Sequence, residues 1–200
     1  MRQQLFYGQI MQDYLNHTAV IDWQNQKILA LARELAEARH GDEEIARACF
    51  EWVRDHIKHS NDYKMNPVTW RASDVLKYRT GYCYAKSHLL AALLRANDIP
   101  AALCYQRLSI HDDGAPYCLH GLNAVYLQQH GWYRIDARGN KAGVDARFSP
   151  PVEQLAFALQ FEQERDLPTL YAEPLAEVLE VLQVNETWLD VLNNLPDIAN

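Results

Sequence analysis

Residues 83 to 96 read CYAKSHLLAALLRA, a run built almost wholly from good helix formers, in which Leu89, Leu90, Leu93 and Leu94 leave little polar surface. A helix this apolar belongs in the middle of a domain, so the rest of the chain has to supply the layers around it. Apolar residues are 48% of the 200, enough for one compact domain with a sizeable core.

Two helical patterns precede it. From Gln24 to Arg39 the residues Ile28, Leu31, Ala32, Leu35 and Ala36 recur at helical spacing, with Gly41 as a stop signal and Asp42 placed to cap the next helix. That helix, Glu43 to Lys58, aligns Ile45, Cys49, Trp52, Val53 and His56 on one stripe. A polar, turn-rich stretch runs from His59 to Thr69, Ser73-Asp74 open a short helical turn through Tyr78, and Gly81 breaks it.

Asn97-Asp98 before Ile99-Pro100 ends the central helix, after which AALCYQRLSI, GLNAVYLQ and GWYRIDAR read as three strands separated by turns at 111–116 and 128–131. Beyond Ser149 the pattern turns helical again, with helices over Leu175 to Gln183 and, after an Asn185 cap, Thr187 to Leu195. Helices early and strands late predict an α+β domain whose helices cover one side of a mainly antiparallel sheet.

The 19 basic and 26 acidic side chains give a net charge of −7, which argues against a nucleic-acid surface or an anionic-membrane binder and leaves a peptide or small amide as the partner class. No apolar run approaches the ~20 residues of a membrane helix. The opening MRQQLFYGQI lacks a charged segment followed by a signal-type apolar stretch, so a cytoplasmic location is expected. Cys49, Cys83, Cys104 and Cys118 form no C-x-x-C pair, and reduced thiols are expected.

Cys83 follows a Thr-Gly break and opens the long helix, where unpaired N–H groups and the positive end of the dipole favour a thiolate and could face an oxyanion. His120, flanked by the small Gly121, is read at the start of the second strand. Asp136 follows 136 − 120 = 16 residues later near the end of the third, a separation that fits one hairpin and brings the two together. The aspartate would accept from one ring nitrogen, fix the tautomer and leave the other nitrogen for Cys83. Cysteine at a helix start, then strand histidine, then strand aspartate is the chain order of the papain and transglutaminase type of site.

TGYCYAKSHLLAALLRANDIPAALCY, then HGLNAVYL, then WYRIDARGNK, over residues 80 to 140, resemble the core of the transglutaminase-like superfamily. Thr18 to Asp22 before a helix also resembles bacterial members described as transglutaminase-like cysteine peptidases. The resemblance implies a papain-like, transglutaminase-core fold with a buried helix started by the catalytic cysteine. It carries the roles of nucleophile, base and orienting acid onto Cys83, His120 and Asp136. It also implies thiol chemistry at amide or acyl carbons without a cofactor, in a superfamily that includes peptidases, amidases, acyl transferases and catalytically silent binding domains. Amide hydrolysis through a thioester is the leading expectation, with protein-glutamine acyl transfer and a non-catalytic peptide-binding scaffold as alternatives. Residues 1–160 are expected to form the catalytic core, and 161–200 a C-terminal helical extension packed on the same domain. The sequence departs from the family pattern with Asn97-Asp98 where a glycine often precedes the I-P-A step, and with His-Gly at the base. Trp70 and Tyr82 are candidates for a further oxyanion or cleft residue.

Other groups have plainer readings. Cys118 and His120, with His111 and Asp112 nearby, suggest a metal site, but no second close pair completes four ligands, and Cys104 and Cys118 read as buried strand residues. Arg134, Arg138, Lys141 and Arg147 surround Asp136 as a cationic rim or a solvated edge, with Arg138 and Asn140 the candidates for substrate contact. Asn140 also suits a role in holding the loop after Asp136, and Asn123 reads as facing solvent. Trp132, Tyr133 and Phe148 read as core. His88, on the Cys83 helix but more than a turn from the sulfur, is a poor base.

Overall fold

The computed structural model describes residues 11–111 and 113–198; Asp112 and the opening ten residues lie outside that range. Helix α1 (Gln26–Ala36) starts where the Asn25 side chain accepts the Lys27 N–H, and it buries Ile28, Leu31, Ala32 and Leu35. Helix α2 (Gly41–His56) begins at the glycine itself, earlier than its apolar stripe suggests. Asp42 does not cap it, because its carboxylate accepts the Gln128 N–H from the sheet, while Glu44 reaches back to the His40 N–H.

The stretch expected to be a turn-rich loop is more ordered than its polarity indicates. Strand β1 (Lys58–His59) and the short helix α3 (Ser60–Tyr63) precede α4 (Ala72–Tyr78), and β1 pairs in parallel with β2 (Thr80–Gly81). The hydroxyls that make the sequence look solvated are spent internally: Thr69 donates to the Thr80 carbonyl and Ser60 bonds Thr80.

Helix α5 (Cys83–Arg95) has all 13 residues buried. Its two cations are satisfied by backbone. Arg95 donates to the carbonyls of Ala101, Asn16 and Ala172, tying the helix end to three other segments, and Lys86 donates to the carbonyls of Arg54 and Ile57 at the end of α2.

A four-stranded antiparallel sheet lies against α5 in the order β5-β4-β3-β6, with β3 (Ala101–Ser109), β4 (Tyr117–Leu127), β5 (Gly131–Ile135) and β6 (Arg165–Asp166). Strand β4 starts at Tyr117, so His120 sits inside it rather than at its beginning. Asn123 does not face solvent: it is fully buried and donates to the carbonyls of Ser87 and Ala102, joining β4 to α5 and β3. Because β5 pairs only with Asn123 to Leu127, the first half of β4 has no strand on that side. Its groups bond elsewhere, with the Leu119 N–H donating to the Pro196 carbonyl at 2.7 Å and the Leu119 carbonyl accepting from the Tyr84 hydroxyl.

Residues 149–175 are irregular apart from β6 and isolated bridges, not helical as read, and Pro150, Pro151, Pro168 and Pro174 bar a helix at the two ends of the stretch by removing donors and fixing φ. Helices resume as α6 (Ala176–Val184) and α7 (Trp188–Asn193). The cap of α7 is Thr187, in a reciprocal box with Asp190; the Asn185 side chain instead donates to the Val181 carbonyl. Val178, Leu182 and Val191 from this region lie in the same buried cluster as α5. Among the described residues no helix is long and apolar enough to cross a membrane.

Candidate active site

The N-terminus of α5 and the uncovered edge of β4 meet at Cys83. Alternation along β4 turns Leu119, Gly121 and Asn123 toward α5, and puts His120 on the opposite face with Leu122 and Ala124. At the strand's edge the Gly121 N–H donates to Cys83 Sγ at 3.4 Å, and the sulfur is one of the groups that raise the pKa of the His120 ring.

His120 Nε2 bonds Asp136 Oδ2 at 2.7 Å, across the β4–β5 hairpin and just beyond the end of β5. Asp136 also accepts the Arg138 N–H on Oδ1 and the Ala156 N–H on Oδ2, each at 3.1 Å. Cys83 is 7% exposed, His120 5% and Asp136 1%. Burial opposes charging of His120, but the Asp136 carboxylate and the Cys83 sulfur outweigh it and raise its pKa to about 10. Burial works against the Asp136 carboxylate too, yet the facing imidazolium and the two N–H donors hold it below its ordinary value. The arrangement sets an imidazole bonded to a carboxylate beside a sulfur, the groups that moving a proton at Sγ requires.

Gly121 is what lets β4 approach the helix. A Cβ there would sit 2.9 Å from Tyr84 Cδ1 and 3.1 and 3.2 Å from the Tyr84 Cα and N. The Phe157 ring meets His120 edge-on, centroids 5.0 Å apart, and closes the face opposite the strand.

Tyr82 is buried, but its hydroxyl donates to the Trp188 carbonyl and is committed to holding α7, which removes it as a free oxyanion donor. Trp70 is half-buried, with Arg71 over its ring, and its carbonyl accepts from His88 Nδ1 at 2.7 Å. That bond and burial account for His88, whose pKa burial pushes down to about 4.

The cationic rim is not free. Arg134 pairs with Glu153 and Asp166, and Arg147 with Asp145. Arg138 is buried and bonded at both terminal nitrogens to Asp62, at 2.5 and 3.0 Å, and Lys141 bonds the same carboxylate at 2.8 Å. Asn140 holds the loop after Asp136 through the Ala146 N–H and carbonyl, and with Arg138 it lines a cavity of about 390 Å³ together with His59, Asp62 and Lys141. Tyr133 and Phe148 pack on each other in the core, and half-buried Trp132 packs on Tyr14 and Tyr126. Among the described residues no three His, Cys, Asp or Glu side chains gather as metal ligands.

Three nearby residues are not singled out by sequence reasoning. Asp62 and His59 fall in the stretch that looked like solvated turn. His59 is buried against Tyr82, and burial, then Arg138, drives its pKa well below the ordinary imidazole value. Lys86, 1% exposed, lies one turn along α5 from Cys83, and burial and Arg138 lower its pKa to about 7. A lysine inside an otherwise apolar helix was the one available signal.

No protein of curated function matches the sequence. Among solved structures, the chain is similar to a candidate cysteine protease from Cytophaga hutchinsonii, at 23% identity over 62% of this chain and 40% of that one, with a TM-score of 0.49. It is also similar to the periplasmic domain of TgpA from Pseudomonas aeruginosa, at 21% identity over 62% and 45% of the two chains, with a TM-score of 0.45. It spans less than half the length of either. Residues 29–137, more than half of the sequence and the part that carries Cys83, His120 and Asp136, match the core of one family, and the chain belongs to the transglutaminase-like superfamily.

Proposed function

We propose that the protein is a thiol-dependent amide-bond hydrolase acting on a peptide or small amide through a thioester on Cys83. The observation that carries the reading is the imidazole of His120, bonded to Asp136 and standing on β4 next to Gly121, whose N–H donates to the Cys83 sulfur, in a site almost closed to solvent. The Cys83 thiolate attacks the amide carbon, and the N–H groups at the start of α5 face the oxyanion. The tetrahedral adduct collapses as His120 gives its proton to the departing amine. The neutral imidazole then takes a proton from water, which attacks the thioester, releases the carboxylic acid and returns the thiol–imidazole pair. Asp136 keeps the ring oriented and its charge balanced throughout.

Acyl transfer is the second reading, and one observation favours it: a sulfur 7% exposed beside a ring 5% exposed gives water poor access to a thioester. The test is to trap the acyl-enzyme from a peptide-amide library and offer water or a primary amine. Free acid as the main product supports hydrolysis, an amine adduct replaces it with transfer, and failure to acylate Cys83 with any member rejects both in favour of a binding domain.

A further inference from the structure

The wall behind His120 and Asp136 holds a second carboxylate whose role no step above uses. Arg138 stands two residues after Asp136, and its own backbone N–H donates to Asp136 Oδ1. Its buried guanidinium lies 5.6 Å from the Phe157 ring that packs on His120. A guanidinium carried two residues from a buried carboxylate would, if released, compete for it, because a bidentate guanidinium pair is stronger than a single imidazole bond. In the structure Asp62, on α3, takes both terminal nitrogens of Arg138, and it takes Lys141 as well.

We propose that Asp62 is a positioning residue of the site: by holding and neutralising Arg138 it reserves the Asp136 carboxylate for His120. The inference rests on the reading of His120 and Asp136 as the working pair. The charged or titratable groups facing this wall are Arg54 and Asp55 from α2, Lys58 and His59 from β1, Asp62 and Tyr63 from α3, Cys83 and Lys86 from α5, and Asp136, Arg138 and Lys141 from the loop after β5. With Asp62 neutral, Arg138 and Lys141 lose their carboxylate. Asp136 is then left to serve a guanidinium and an imidazolium at once, in a region where burial makes each unpaired charge costly. The imidazolium, being the weaker partner, gives way.

The experiment follows the His120 ring by NMR against pH, without substrate, in the wild type, Asp62→Asn, Asp62→Glu and the Asp62→Asn/Arg138→Gln double variant. The His120 midpoint is expected to fall by about one pH unit or more in Asp62→Asn and to stay near wild type in Asp62→Glu. It should return toward wild type in the double variant, which no longer carries the freed guanidinium. A role confined to packing would lower stability without moving the midpoint and would gain nothing from the second substitution. An unmoved midpoint in Asp62→Asn, or a double variant as low as the single one, overturns the proposal. If Asp62→Asn does not fold, the double variant carries the test, and a lowered midpoint there overturns the proposal equally. Because the ring is read without turnover, a negative result leaves the amide-hydrolase reading standing, and an inactive protein leaves this inference intact.

Discussion

The backbone of Gly121 touches the sulfur of Cys83, and the space that permits it is the missing side chain of Gly121 itself. The atoms a Cβ would strike include the Tyr84 Cα and N, which cannot rotate away. Gly121→Ala is therefore expected to destabilise the fold by about 1–3 kcal/mol, as overpacking does, and to part β4 from the helix start. Urea unfolding measures the first effect. The second should appear as a Cys83 alkylation rate about tenfold or more below wild type, since a small displacement spoils the imidazole alignment. Wild-type reactivity in a folded Gly121→Ala protein would mean that the close approach is irrelevant to the sulfur.

Substituting His120 or Asp136 separates the proposed chemistry from fold. His120→Ala should lower amide turnover by about 10²–10⁴-fold, and Asp136→Asn by about 10⁴-fold, because asparagine stabilises the wrong tautomer. Iodoacetamide should label Cys83 near pH 6 in the wild type, well under the ~8.5 at which a free thiol titrates, and His120→Ala should abolish that labelling. Labelling as slow as that of free cysteine in the wild type would leave only the binding-domain reading.

The pH dependence of stability should contain two opposed slopes. His120 has a folded pKa of about 10 against an ordinary value of about 6.5. Its contribution is complete below the lower figure and is lost as pH climbs to the higher. Lys86 runs the other way. Its folded pKa of about 7 lies below the ordinary ~10.4, so the cost of burying its charge is relieved as pH rises through that window. Lys86→Met removes the second slope, and its unfolding free energy should fall more steeply than wild type between about pH 7 and 10. Equal slopes in the two proteins would contradict the assignment of Lys86.

Tyr82→Phe tests a hydroxyl that sequence alone offers as an oxyanion donor. Since the group is bonded to the Trp188 carbonyl, the variant should lose about 1 kcal/mol of stability and keep its kcat. A drop in kcat without a change in KM would return Tyr82 to the reaction.

How far the sequence reads true depends on whether a residue's partner is local. The apolar run from Cys83 and the sixteen residues from His120 to Asp136 are patterns of one helix and one hairpin, and the buried helix and the imidazole–carboxylate bond both appear. Asp42, Asn123, Tyr82 and Arg138 are misjudged for a common reason. Each looks like a cap, a surface amide, a free phenol or a free cation, and each is claimed by a group 21 or more residues away. The stretch from His59 to Thr69 misleads in the same manner, since hydroxyls that suggest water find Thr80 instead.

The short reach of β5 has a consequence for redesign. Below Asn123 β5 does not pair with β4: the Leu119 N–H is met by the Pro196 carbonyl, and the rung at Gly121 is answered by sulfur instead of by another backbone. Lengthening β5 by two residues in register would offer that N–H a carbonyl, a better acceptor than a thiol, and the added strand would lie across the Cys83 sulfur. Such a protein should gain rigidity and close off Cys83 together, because the sheet can be completed only where the sulfur now stands.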